Sequence, residues 1–353
     1  MQIEKAVTWS ENTLIIFGLM KLVLIAFFFA SFSLVQLPEA HSQSGDACKG
    51  RNLLVDLKRD DPAAYDAVVA EAAETENAEA IFWKVEKEGL QTSWLYGTMH
   101  LADPDISSIP EDAQRAILES ETLVIESVDA LDAAAAAKAM AGLTHLTFLK
   151  DGTLRDLVAD ELEDELEAAV TVRGVPMQLA DRMQPWLVAT TISLPVCEII
   201  RKQQGAKVLD AELAHFAKEN GKAIEGLETV SEQLTAISSL PTEYHVSALE
   251  ETLASGSKAL DMIETMKVLY LEGKMGLVFP IMKAVMPDTG SGQGVAQFQE
   301  ALIDKRNYTM AERVEPVLQA GPAFVAVGAL HLPGELGLVN LLRQSGYTVT
   351  AVR

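Results

Sequence analysis

Two histidines occur in the same local pattern although more than 200 residues separate them. Residues 94–100 read WLYGTMH and residues 325–331 read VAVGALH, so each motif is an apolar strand pattern, a glycine, two further residues and a histidine. A glycine at the end of a strand allows a sharp turn or a close backbone approach. In open α/β sheets, sites lie outside the carboxyl ends of the strands. We therefore predict that His100 and His331 project over one edge of a sheet.

Glu126 ends a third apolar run, residues 123–126 (LVIE), and extends the candidate site to three side chains. Two imidazoles and a carboxylate from neighbouring strand ends suit a divalent metal with open positions for water, and metal-bound water is a nucleophile near neutral pH. Without a metal, the same three groups could serve as a general base, its orienting carboxylate and a second acid. A single histidine in a turn is usually an ordinary residue, so it is the repetition of the motif that favours a site.

The composition is that of a folded, acidic protein. The chain has 353 residues, of which 49% are hydrophobic and 22% charged, and this excludes global disorder. Lysine and arginine number 28 against 51 aspartates and glutamates, so the net charge is −23. A surface with that excess of negative charge repels phosphate backbones, and we expect no nucleic-acid partner.

Residues 14–35 form an apolar stretch that predicts export. The stretch is long enough to cross a membrane, but Lys21 lies near its middle, where a charge is costly. Read from Met20, the same residues form a signal peptide with a basic start, an apolar run and an exit near Ala40. Residues 1–40 are therefore predicted to be a cleaved signal peptide or a retained N-terminal anchor, which would associate the chain with a membrane. We expect the protein in the bacterial periplasm or another extracytoplasmic compartment.

Export changes the interpretation of the two cysteines, Cys48 and Cys197. Two lone cysteines often pair in an oxidising compartment. We predict a disulfide that closes a loop of roughly 150 residues. The alternative is that Cys197 is a small buried hydrophobic residue.

The remaining pattern predicts an α/β fold, with α+β as the alternative. A mixed central sheet would combine the strand–GxxH units with a large helical insertion. Residues 41–80 predict an N-terminal helical extension, and residues 81–353 form the main domain. The last strand–helix–strand unit is expected to be parallel and right-handed. Strands are predicted at 81–85, 93–97, 123–126, 222–227, 324–328 and 347–352, and helices at 129–143, 160–172, 185–203, 209–219, 246–273, 298–320 and 335–344.

These motifs resemble the TraB/GumN family of the TraB–PrgY–Tiki superfamily. The resemblance runs from about residue 82 to residue 352 and rests on FWKVEK, LYGTMHLADPD, LVIES, VLDAELAHFAKENGKAIEGLET, DKRN and AFVAVGALHLPGELGLVNLLRQSGYTV. Matched one at a time, the family's functional positions fall on His100, Glu126, Arg306 and His331. The resemblance implies a metal-dependent hydrolase that uses Mn²⁺ or Co²⁺. The predicted metal ligands are His100, Glu126 and His331, and Zn²⁺ is the alternative metal.

The leading prediction is an exported metal-dependent hydrolase, in its most specific form a peptidase, that acts on a peptide or a small polar substrate. Arg306 could clamp a substrate carboxylate or oxyanion through its planar guanidinium. The alternatives are a non-catalytic envelope protein that binds a peptide or glycan, and an accessory protein of polysaccharide export. Among the other acids, Asp210, Glu225 and Glu228 are second-rank candidates, and among the other histidines, His145, His215 and His245 are expected to be ordinary helix residues.

Overall fold

The computed structural model describes residues 48–256, 258–285 and 293–352. The predicted signal peptide or anchor, residues 1–40, lies outside the described residues. The strands are β1 Phe82–Glu86, β2 Ser93–Thr98, β3 Thr122–Ile125, β4 Ala223–Gly226, β5 Ala323–Gly328 and β6 Thr348–Ala351. The helices are α1 Leu53–Asp60, α2 Pro62–Ala73, α3 Pro104–Ser107, α4 Glu111–Glu119, α5 Ala133–Gly142, α6 Thr144–Thr147, α7 Glu163–Thr171, α8 Met177–Ala180, α9 Pro185–Ser193, α10 Val196–Gln203, α11 Leu209–Glu219, α12 Val230–Ser238, α13 Thr242–Ser255, α14 Lys258–Leu271, α15 Val278–Val285, α16 Gln293–Gln299, α17 Lys305–Ala320 and α18 Leu338–Gln344. Short 3₁₀ turns cover Asp129–Leu131, Asp160–Leu162, Met275–Leu277 and Ala329–His331, and a π turn covers Glu300–Asp304.

The strands of the described chain form one mixed sheet in the order β4-β3-β5-β2-β1-β6. The first four of these strands are parallel, while β1 pairs antiparallel with both β2 and β6. The α/β fold with a mixed central sheet, predicted from the sequence, is therefore confirmed. Because the four parallel strands point the same way, their carboxyl ends meet at one edge of the sheet.

The last strand–helix–strand unit differs from the simplest form of its prediction. β6 runs in the same direction as β5, because two antiparallel pairings separate it from β2. However, β2 and β1 lie between β5 and β6 in the sheet. The unit is parallel in direction, but its two strands are not neighbours.

The central strands of the sheet are buried on both faces, because neighbouring residues along each of them enter different cores. In β5, Phe324 and Ala326 belong to the larger core, whereas Val325 and Val327 belong to the smaller core on the opposite face. Burial on both faces explains why β3 and β5 read as continuous apolar runs, whereas the parallel edge strand β4 is mostly exposed. The smaller core is completed by side chains of α17 and α18, namely Met310, Val314, Leu318, Leu338, Val339 and Leu342.

Two helices predicted as continuous are each divided by a residue that disfavours helix. The predicted helix 185–203 is divided into α9 and α10 at Leu194-Pro195, since a residue before proline avoids the helical region. The predicted helix 246–273 is divided into α13 and α14 near Gly256, whose φ is +52°. Among the described residues, no helix combines the length and the apolarity needed to cross a membrane.

The segment before the sheet is helical and is tied to the rest of the chain at several points. Asp61 caps α2 by accepting a hydrogen bond from the Ala64 N–H at 3.0 Å. Arg51 pairs with Asp261 of α14 at 2.9 Å. The predicted disulfide between Cys48 and Cys197 is present, with 5.7 Å between the two Cα atoms. The start of the described chain is therefore fastened to both α10 and α14.

We expect reduction of the disulfide to lower the free energy of unfolding by about 2–5 kcal/mol, because it releases a long closed loop in the unfolded state. Urea unfolding with and without a thiol reductant measures the change. The Cys48→Ser/Cys197→Ser variant is the matched control. Its urea midpoint should equal that of the reduced wild type and should not change when the reductant is added. Equal midpoints for the oxidised and reduced wild type would contradict the prediction.

Candidate functional site

Four of the candidate side chains follow the carboxyl ends of the four parallel strands. His100 comes after β2, Glu126 after β3, Glu228 after β4 and His331 after β5. Glu126 Oε1 lies 4.0 Å from His100 Nε2 and 3.9 Å from His331 Nε2. Arg306, from the first turn of α17, donates to Glu126 Oε2 at 2.8 Å. The structure thus brings His100, Glu126, Arg306 and His331 together at one edge of the sheet.

The two motif glycines make room for neighbouring parts of the site, Gly97 for the second motif and Gly328 for Glu126. A Cβ atom at Gly97 would lie 2.9 Å from Ala329 Cα, in the turn that carries His331. A Cβ atom at Gly328 would lie 3.0 Å from Glu126 Oε1, which accepts a hydrogen bond from the Gly328 N–H at 2.6 Å. The close backbone approach expected from the sequence is therefore real at both positions, and it concerns space rather than unusual φ values.

His100 is oriented by Asp210, which lies in the first turn of α11. Asp210 Oδ2 is 2.9 Å from His100 Nδ1, and Asp210 Oδ1 accepts a hydrogen bond from Thr98 Oγ1 at 3.0 Å. Because an ionised carboxylate can only accept, Nδ1 carries the proton, and in the neutral ring Nε2 keeps a lone pair. Burial alone would lower the pKa of His100, but the carboxylates of Asp210 and Glu126 outweigh burial and raise it.

The loop that follows His100 is fastened by α10. The buried Glu198 accepts a hydrogen bond from the Ala102 N–H at 2.7 Å, and Arg201 pairs with Asp103 at 3.0 Å. The same helix carries one end of the disulfide. The position of the first imidazole therefore depends on contacts that extend to the start of the described chain.

Arg306 is buried, and all five of its N–H groups are used within the protein. Nε donates to Glu228 at 3.0 Å, and Nη2 donates to Glu228 at 2.6 Å and to Glu126 at 2.8 Å. Nη1 donates to the Leu302 carbonyl at 2.9 Å and to His331 Nε2 at 3.1 Å. Burial opposes the positive charge, yet the two carboxylates outweigh burial and raise the pKa of Arg306.

Glu126 is an ionised carboxylate at neutral pH. Besides Gly328 and Arg306, the Gln233 side chain donates to it, at 3.1 Å from Oε2. Burial alone would raise the pKa of Glu126, but the adjacent guanidinium overrides burial and lowers it to about 2. Burial raises the pKa of Glu228, against the opposing effect of Arg306.

His331 is held at both ring nitrogens. Asn307 Oδ1 lies 2.6 Å from Nδ1, and its orientation is fixed because Asn307 Nδ2 donates to the Leu336 carbonyl at 2.8 Å. Arginine cannot accept a hydrogen bond, so Nε2 must accept from Arg306 and Nδ1 must carry the proton. Burial, reinforced by the Arg306 charge, lowers the pKa of His331 to about 3. The imidazole is therefore neutral and of one tautomer.

A small cavity lies against the site. Thr98, His100, Glu126 and His331 contribute to its lining, and Phe298 is among its apolar walls. The cavity volume of about 30 Å³ suffices for about one or two water molecules. A water held between His100 Nε2 and the Glu126 carboxylate would meet one basic nitrogen and one acceptor of fixed charge.

The three predicted metal ligands do not fit a metal centre in this arrangement. His100 Nε2 keeps its lone pair, and Glu126 Oε1 retains acceptor capacity beside its bond to the Gly328 N–H. His331 has no lone pair left, since Nδ1 donates to Asn307 and Nε2 accepts from Arg306. Across the described ranges, no group of three histidine, cysteine, aspartate or glutamate residues is arranged to hold a metal ion.

Two acids contribute more to the site than the sequence analysis predicted, and two amide side chains of the site were not predicted. Asp210 and Glu228, second-rank candidates, contact His100 and Arg306, whereas Glu225 is exposed on β4. Gln233 carries no sequence signal, but Asn307 directly follows Arg306 in the DKRN segment that marked the family resemblance. Of the remaining histidines, His145 and His215 are exposed and His245 is buried beside a tyrosine ring on α13.

We expect Gly328→Ala to lower the free energy of unfolding by about 1–3 kcal/mol, because the new methyl group would press on Glu126 Oε1 and on the His331 ring. Urea unfolding measures the effect. Gly142→Ala is the matched control, since a Cβ atom there meets nothing within 4 Å and should leave stability unchanged or slightly higher. A Gly328→Ala variant as stable as the control would contradict the prediction.

A second prediction concerns the pH dependence of stability. The pKa of His331 falls from 6.5 to about 3 on folding, so on acidification the unfolded state takes up this proton first and the folded state loses stability. We expect the loss between about pH 7 and pH 5 to be smaller in His331→Gln than in the wild type, measured by unfolding at each pH. His215→Gln, which changes an exposed histidine, should keep the wild-type slope. Identical slopes in all three proteins would contradict the assigned burial effect.

Several known proteins are similar in sequence to this chain. Metalloprotease TIKI1 of Danio rerio is 25% identical over 312 residues, which cover 76% of this chain and 62% of that protein. The Metalloprotease TIKI homolog of Nematostella vectensis is 24% identical over 332 residues, covering 78% of this chain and 68% of the relative. The uncharacterized protein YbaP of Escherichia coli (strain K12) is 22% identical over 252 residues, covering 70% and 87%.

The chain spans 62% and 60% of the lengths of the TIKI1 and TIKI2 relatives from Danio rerio. No solved structure matches significantly. A family model described as the TraB/PrgY/gumN family matches residues 81–351, from the start of β1 to the end of β6. Both GxxH motifs, Glu126 and Arg306 lie within that match, and the chain belongs to the TraB/PrgY/gumN family.

Proposed function

We propose that the protein is an exported hydrolase that cleaves peptide bonds, with water activated between His100 and Glu126. The observation that carries the proposal is the line Asp210–His100–Glu126. Asp210 orients His100 through Nδ1 at 2.9 Å, and the free Nε2 faces Glu126 Oε1 at 4.0 Å beside a cavity of water size. This is the arrangement of a general base with its orienting carboxylate.

The proton path follows from these protonation states. Water attacks the substrate carbonyl carbon and gives a proton to His100 Nε2, while the Asp210 carboxylate stabilises the imidazolium that forms. The raised pKa of His100 makes it a better proton acceptor than an ordinary histidine. The Glu126 carboxylate, ionised because its pKa is about 2, holds the second hydrogen of the water. The imidazolium then returns its proton to the leaving amine nitrogen.

A peptide substrate is supported by the relatives named metalloproteases, which are 24–26% identical to this chain. Those names also suggest a divalent metal, and its identity as Mn²⁺, Co²⁺ or Zn²⁺ stays a prediction. No step above depends on a metal. The acidic surface distinguishes neither a peptide nor a small polar substrate.

Arg306 has a different part from the substrate clamp expected from the sequence. Its N–H groups are all engaged by Glu126, Glu228, His331 and a backbone carbonyl. A substrate carboxylate could bind it only by displacing one of those partners. We assign it the positioning of the Glu126 carboxylate.

Export is supported by the disulfide and by the apolar N-terminal sequence. Disulfides persist in oxidising compartments and are rare in the cytosol, and Cys48 and Cys197 are paired. Whether residues 1–40 are cleaved or retained is a separate prediction. The periplasm is the compartment that we propose.

The test is hydrolysis of a fluorogenic peptide library by the purified protein. We expect His100→Gln and Glu126→Gln each to lower kcat/KM by about 100-fold or more, since removing a positioned acid or base typically costs 10²–10⁴ in rate. Asp210→Asn should have a similar effect, because an amide can donate to Nδ1 and favour the wrong tautomer of His100.

His215→Gln is the control for the loss of a histidine, because this side chain is exposed on α11 and pairs with Glu219, which is not a site residue. It should retain wild-type activity. Circular dichroism and unfolding midpoints of all variants separate a lost base from a lost fold. Full activity in a folded His100→Gln protein would rule out the proposed mechanism.

A further inference from the structure

The two GxxH histidines look equivalent in the sequence but occupy different electrostatic environments. His100 Nδ1 faces the Asp210 carboxylate, whereas His331 Nδ1 faces the neutral Asn307 amide. His100 Nε2 lies 4.0 Å from Glu126 Oε1, and both residues line the cavity, whereas His331 Nε2 is 3.1 Å from an Arg306 nitrogen. A carboxylate favours the protonated form of an imidazole, whereas a guanidinium disfavours it. The two motif histidines therefore differ in the chemistry that is open to them.

We propose that Arg306 is the built-in cation of this site and that it excludes His331 from metal coordination. His331 acts instead as a fixed neutral acceptor that positions Arg306, and His100 alone of the two motif histidines is available to a divalent cation. The inference deepens the proposed function and rests on it only in taking this edge of the sheet as the reactive site.

The acceptors around Arg306 are arranged as they would be around a bound cation. Glu126 Oε2, Glu228 Oε2 and His331 Nε2 converge on it at 2.8, 2.6 and 3.1 Å. Arg306 is 4% exposed, so these contacts are buried and are weakly screened by water. A buried charge needs such partners, and the partners in turn need the charge.

Release of His331 from Arg306 would require two losses at once. Its Nε2 lone pair would have to give up the guanidinium hydrogen bond, and a divalent cation would then lie next to a fixed positive charge. Rotation of the ring to present Nδ1 would break the 2.6 Å contact with Asn307, whose own amide is tied to the Leu336 carbonyl. The second imidazole is therefore locked by partners on both sides.

His100 has the opposite arrangement. Its Nδ1–H is held by a carboxylate, which leaves Nε2 for another partner, and this is how histidines that bind metals are usually held. Glu126 Oε1 lies 4.0 Å from that nitrogen. A divalent cation that enters the cavity would find two ligand atoms, His100 Nε2 and Glu126 Oε1. His331 would not supply a third.

The experiment is ¹⁵N NMR of the full-length protein labelled at its histidine rings, titrated with Zn²⁺ alone. His100→Gln and His331→Gln assign the two sets of ring signals. We expect His331 to show a protonated Nδ1 and an unprotonated Nε2 that do not move during the titration, whether or not the His100 Nε2 signal moves. A Zn²⁺-dependent shift of His331 Nε2 to a metal-bound position would overturn the proposal.

Zn²⁺ affinity, measured by calorimetry on the same variants, gives a second readout. For any Zn²⁺ binding detected, we expect His100→Gln to weaken the affinity by about tenfold or more. His331→Gln should weaken it much less, because hydrogen bonds link His331 to Glu126 only through Arg306. Equal weakening by the two variants would also overturn the proposal. Failure of the peptide hydrolysis test leaves both measurements readable, so the two proposals fail separately.

Discussion

A buried guanidinium holds together side chains that come from three different strand ends. Arg306 contacts Glu126 after β3, Glu228 after β4 and His331 after β5, and all of these side chains are buried. Removing one partner of a buried ion pair typically costs about 3–5 kcal/mol, because it leaves an uncompensated charge. The arrangement of the whole edge therefore depends on one side chain from α17. It also makes the protonation states of the site unequal, since Glu126 stays charged and His331 stays neutral.

The side of the edge at which we propose catalysis is built on the other histidine, His100. Asp210 fixes the ring of His100, and the loop beyond it is fastened by Glu198 and Arg201. These contacts come from α10 and α11, which belong to the helical region between β3 and β4. The helical insertion thus supplies the orienting carboxylate, and the sheet supplies the imidazole and the acid that face each other.

Local patterns in the sequence were sufficient for the strands and for the paired motifs. The apolar runs before Gly97 and Gly328 predict strands, and the glycines predict close approach, because both properties depend on a few neighbouring residues. The pairing of Asp210 with His100, or of Asn307 with His331, depends on where distant helices pack, and no short pattern encodes it. Pro195 indicates a helix break, but apolar residues continue at helical spacing on both sides of it. That spacing led to the prediction of one continuous helix. The roles of Arg306 and His331 could be assigned only from interatomic distances, because the sequence does not show whether the N–H groups of an arginine are already hydrogen-bonded.

The position of β5 in the sheet has a consequence for how the protein folds. β5 lies between β3 and β2, yet it is contributed by residues 323–328, more than 200 positions after β2. Before β5 is available, β4-β3 and β2-β1 are two separate ribbons with no backbone bonds between them. Such a high contact order makes folding slow, because the entropy of closing a long loop is lost before its contacts form. A nascent chain that stops short of β5 therefore lacks the strand that joins β3 to β2, and the edges of both strands stay unpaired.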